Sequence, residues 1–63
     1  MNSTKAQRLW RKAGKALGLG DRQAYYRLGV AAVDAENAWR RAMGWQAIAV
    51  SPASRAIAEG RVA

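Results

Sequence analysis

The chain has 63 residues, a formal net charge of +7, no Cys and no His. Disulfides are thereby excluded, and a zinc site lacks its usual ligands. The length allows one domain at most, residues 1–63, with a thin core, because a chain this short buries only about 60% of its unfolded surface. Apolar residues make up 51%, but 15 of them are Ala. Ala adds little, since burial is worth roughly 25 cal/mol per Å². Below about 70 residues a fold without staples leans on a partner, so self-association or docking on a larger protein is expected.

The charge is uneven. Residues 1–20 carry Lys5, Arg8, Arg11, Lys12 and Lys15 and no acid. The remainder holds six basic and four acidic residues. A basic end beside a near-neutral end suits a polyanion: nucleic acid, an anionic membrane or an acidic protein face. The start of the chain has no apolar run of signal-peptide length and nothing long enough to span a bilayer, so a cytoplasmic location is the default expectation.

Ser3 or Thr4 can cap a first helix over about 4–17, which Gly18 and Gly20 stop. At 100° per residue its five cations fall within one arc of about 120°. Ala6, Leu9, Trp10, Ala13, Ala16 and Leu17 fill the opposite arc, with no mixing. Cations near a helix start oppose the macrodipole, which hints that the charge serves a contact; a solvated face is the plainer alternative. Gly14 either weakens this helix or marks a close crossing.

Gly18-Leu19-Gly20 is a short joint, with Leu19 expected to lean back on the apolar face. It implies two adjacent antiparallel helices. A DNA-reading helix–turn–helix shares such a turn, but the second helix, at about 22 residues, is long for a recognition helix.

Residues 21–44 organise the chain. Asp21 caps the helix and Gly44 stops it. Ala24, Leu28, Ala31, Ala35, Ala38 and Ala42 step by 4, 3, 4, 3 and 4, the spacing of a packing seam. An Ala stripe demands close backbone approach, either to the first helix or to another copy. Tyr25, Ala32, Trp39 and Met43 widen it on one flank. Tyr26, Val30 and Val33 face another way and need a second cover. Glu36 and Arg40 form a favourable (i, i+4) pair. Tyr25 and Tyr26 read as half-buried anchors, or as rings for stacking bases.

Residues 45–50, with Trp45, Ile48 and Val50, read either as extended chain or as a further turn. Ser51 caps and Pro52 begins a short last helix over about 52–59. Trp45, Ile48 and Ile57 are expected to fold back over the helical pair. If exposed, Tyr26, Val30, Val33, Trp45 and Ile48 form a partner patch.

Catalysis is not expected. There is no His or Cys base or nucleophile, Asp34 and Glu36 do not share a helix face, and the Gly-Leu-Gly joint is no phosphate loop. No cofactor and no metal are expected. The reading is therefore all-α: a two-helix antiparallel hairpin plus a short C-terminal helix, associating into a bundle. Its expected function is that of a small basic regulatory module, binding nucleic acid through Lys5, Arg8, Arg11, Lys12 and Lys15. The alternative is an accessory subunit or small inhibitor, of a kind found in mobile elements, docking on an acidic or nucleic-acid-binding surface. Either a homo-oligomer or a subunit of a larger complex is consistent with this. A membrane-surface role is disfavoured, because the caps and the Ala stripe suit helix packing.

Overall fold

Glycines and caps divide the chain into three helices, α1 (Thr4–Gly18), α2 (Arg22–Ala42) and α3 (Pro52–Ala58). The computed structural model describes residues 4–61. Ser3, one of the two expected caps of α1, lies outside them. The protein is all-helical, with no strand among the described residues.

One device closes all three helices. After α1, the Asp21 N–H donates to the Ala16 carbonyl at 3.0 Å and the Gly20 N–H to Leu17 at 3.0 Å. After α2, Trp45 and Gly44 donate to Arg40 and Arg41, and after α3, Arg61 and Gly60 donate to Ala56 and Ile57. This 6→1, 5→2 pairing is the Schellman closure. It needs a left-handed residue, and Gly20, Gly44 and Gly60 take φ of 77°, 76° and 74°. Asp21 serves twice: its backbone closes α1, and its side chain accepts the Ala24 N–H at 3.1 Å to open α2. Ser51 Oγ caps α3 by accepting the Ser54 N–H at 3.1 Å, with Pro52 in the first turn.

α2 is the spine. α1 and α3 both pack against it, and among the described residues they do not pack on each other. From α1, the buried residues are Ala6, Ala13 and Ala16. From α2, they are Gly29, Ala32, Glu36 and Asn37. At Gly29 the Trp10 ring of α1 lies close: a Cβ there would be 3.4 Å from its Cζ3 and 3.6 Å from its Cη2.

The deepest line of α2 is thus not the Ala stripe. Ala24, Leu28, Ala31 and Ala35 are half-buried, while Ala38 and Ala42 are exposed. Gly29, Ala32 and Glu36 sit about 120° around the helix from that stripe. Trp10 of α1 sits over Gly29, where α2 has no side chain. Gly14, by contrast, is exposed, and a Cβ there would meet nothing within 4 Å, so it marks no crossing. Leu19 does not lean back either. It is 86% exposed, because the turn that presents Asp21 to α2 points it outward.

Residues 45–50 are neither helix nor strand. Asn37 holds them: its Nδ2 donates to the Ile48 carbonyl at 2.9 Å, and its Oδ1 accepts the Ile48 N–H at 2.7 Å. Trp45 meets Trp39 edge to face at 5.1 Å, and Arg40 lies 5.7 Å from the centre of the Trp45 ring. Trp45 and Ile48 return to α2 as expected, yet stay 49% and 40% exposed. Ile57 is half-buried.

The three helices lie side by side. Principal extents are 36 × 23 × 10 Å, so the molecule is about one helix thick. Most domains bury their apolar faces between two layers; a single layer leaves both of its faces open. Among the described residues no large side chain is fully buried. The chain exposes 4498 Å², against about 4,000 Å² expected for a compact monomer of this mass. No helix among the described residues is long and apolar enough to cross a membrane.

Candidate functional site

The outer edge of α1 carries the charge. Lys5, Arg8, Arg11, Lys12 and Lys15 are all exposed. Ala6, Ala13 and Ala16 anchor the opposite side of the helix, so packing against α2 turns the cations outward.

Among the described residues, none of these five pairs with a carboxylate side chain, because all four acids are engaged elsewhere. Asp21 caps α2. Asp34 accepts from Arg55 at 2.8 Å. Glu36 lies 3.4 Å from Arg40 Nε. Glu59 pairs with Arg61. The Arg55 guanidinium is held above its ordinary pKa, first by its hydrogen bond to Asp34 and then by the attraction of that charge. Arg40 Nε is buried without a hydrogen bond, so its approach to Glu36 is an ion pair out of line for one.

Crowding makes the edge costly. Spacings of three or four join residues 5 and 8, 8 and 11, 8 and 12, 11 and 15, and 12 and 15. Each like-charge pair costs a few tenths of a kcal/mol, in all about 1–2 kcal/mol. An anion laid along the helix relieves that repulsion.

A groove opens over α2 between α1 and the chain leading into α3. It encloses about 210 Å³, with Trp10, Tyr25, Tyr26, Gly29, Val33 and Val50 among its lining. Tyr25 and Tyr26 meet edge to face at 5.4 Å, and the Arg22 guanidinium lies 5.3 Å from the centre of the Tyr26 ring. A smaller hollow of about 160 Å³ shares Trp10 and Val33 but adds Glu36, Arg40 and Ile48.

The expected partner patch is therefore divided. Tyr26, Val30 and Val33 gather in the groove with Trp10. Ile48 belongs to the smaller hollow, and Trp45 packs on Trp39. The Ala stripe lies on the side of α2 away from the groove. Sequence reasoning overlooked Trp10 and Gly29 as a pair, Arg22 as the cation against Tyr26 and Asn37 as the tail's anchor. A glycine inside a long helix, one turn from two tyrosines, was the available signal. Among the described residues no group of three or more acids could hold a metal ion.

Compared with protein families, curated proteins and solved structures, the chain matches none.

Proposed function

We propose that the protein is a small, non-enzymatic, regulatory nucleic-acid-binding module that lays the cationic edge of α1 along a phosphate backbone. One observation carries this reading. Five exposed cations share one helix face, and every acidic side chain is committed to another partner. Lys and Arg so placed neutralise phosphates and release counterions, with little base readout. In this reading α1 and α2 form an antiparallel hairpin, and two copies associate into a bundle along the Ala stripe, with the basic edges outside. The half-exposed stripe and the one-layer shape support that association.

The test is a titration of labelled duplex DNA and RNA by fluorescence anisotropy at about 100 mM salt. Micromolar or tighter binding is expected. With about five phosphate contacts, the log–log salt slope on duplex should be near −4 to −5. Lys12→Glu with Lys15→Glu should abolish binding.

A second reading is favoured by Met43, Trp45 and Ile48, which stay 55%, 49% and 40% exposed around the end of α2. It makes the protein an accessory subunit or small inhibitor on an acidic surface of a larger partner. Absence of nucleic-acid binding at about 100 mM salt, where such phosphate contacts still hold, would favour it.

A further inference from the structure

We propose that the groove between Trp10 and the Tyr25–Tyr26 pair receives unpaired bases, so that the ligand is a single-stranded oligonucleotide rather than a duplex. This rests on the reading that the α1 cations hold phosphates, and it adds a second contact to them.

The groove combines the two things a single strand needs. Three aromatic rings, Trp10, Tyr25 and Tyr26, stand in its otherwise small and aliphatic lining, and bases of any identity stack on aromatic rings. Trp10 remains 46% exposed even though its ring edge reaches Gly29. Tyr25 and Tyr26 stand on the neighbouring turn of α2, half-buried and meeting edge to face. Outside the lining, Arg22 supplies a cation beside one of these rings, its guanidinium 5.3 Å from the centre of Tyr26. Arg11, next in sequence to Trp10, belongs to the exposed basic edge. Arg11 lies about 100° around α1 from Trp10, so a strand whose phosphates touch that flank of the edge passes over the rim of α1 to bring its bases to the indole.

Charge distinguishes this groove from the adjoining hollow. Among the described residues, no acid lines the groove. The hollow contains the Glu36–Arg40 ion pair, whose two charges are already committed to each other. Charge also argues against other occupants. A second copy seated in the groove would bring a further +7 to the side of the chain that adjoins the basic edge of α1, whereas the Ala stripe lies on the opposite side of α2. A polyanion gains from the same field.

The experiment compares a short oligo-dU with a duplex of equal phosphate count, using the full chain at about 100 mM salt. We expect the single strand to bind more tightly and to quench tryptophan fluorescence. Trp10→Leu and Tyr26→Leu should each weaken oligo-dU binding by about tenfold to a hundredfold, the range for losing one stacked base. Duplex binding by the same variants should not change. Lys12→Glu with Lys15→Glu should weaken both. Circular dichroism checks that each variant stays helical. If a groove variant unfolds, photocrosslinking of the unaltered protein to 5-bromo-dU oligonucleotide decides. Adducts on Trp10, Tyr25 or Tyr26 support the groove, and adducts confined to residues outside it overturn the proposal. Equal binding of strand and duplex, unaffected by the groove variants, overturns the groove and leaves the cationic edge standing. Binding of neither overturns both. A dimer that Trp10→Leu converts to monomer shows the groove covered by a second copy, and the proposal then fails.

Discussion

Asn37 and Ile48 exchange two hydrogen bonds, the amide of one side chain with the backbone of the other residue, at 2.9 and 2.7 Å. This side-chain amide stands in for a strand partner and holds the segment between α2 and α3 against the spine. Asn37→Ala leaves the Ile48 N–H and C=O to partial solvent, and should destabilise the protein by about 1–2 kcal/mol. Asn37→Asp keeps an acceptor for the Ile48 N–H and should cost less. Thermal unfolding followed by circular dichroism measures both, and hydrogen exchange should show the Ile48 amide losing protection in the Ala variant.

The contact between Trp10 and Gly29 sets the spacing of α1 and α2. Gly29→Ala adds a methyl group 3.4 Å from the indole, within ordinary contact, and removes the helix penalty of glycine, about 1 kcal/mol. A modest gain in melting temperature is expected. Gly29→Leu overfills the same place and should cost about 1–3 kcal/mol. Equal effects of the two would mean that the indole does not rest there.

Gly44 turns the chain out of α2 at φ 76° with open space around its Cβ position. Gly44→Ala therefore meets no clash and bears only the left-handed backbone cost, about 1–2 kcal/mol. For a domain this small, each kcal/mol lowers the melting temperature by about 4–8 °C. Gly44→Asn should lose less.

Stability and binding should respond in opposite directions on the basic edge. The first turn of α1 contains no acid. Lys5→Glu places a carboxylate near the positive helix end and three residues before Arg8. It should stabilise the free protein by about 1 kcal/mol while weakening nucleic-acid binding. A loss of both would mean that Lys5 has a structural role.

Association along the Ala stripe predicts a dimer by analytical ultracentrifugation that Ala35→Leu disrupts, because a longer side chain holds the two backbones apart. A monomer before and after the change would remove the stripe from the interface.

Three helices, their caps at Asp21 and Ser51, and the separation of charge from apolar surface on α1 were legible in the residue order. Local rules govern all of these: a cap answers to its next few amides, and a spacing of three or four becomes a face as soon as the chain is helical. Which side of α2 meets α1 was not legible. That helix is apolar on several sides in its first half, so periodicity permits more than one packing. The choice depends on where a distant indole fits, and Trp10 fits over Gly29. Glu36 and Asn37 likewise look like surface residues in order along the chain. Asn37 becomes buried because the segment after Gly44 doubles back and brings Ile48 against it, and Glu36 because it lies on the line of α2 that meets α1 and shares a hollow with Ala6 and Trp10. Contacts between residues far apart in sequence decided those features, and no repeat in the sequence encodes them.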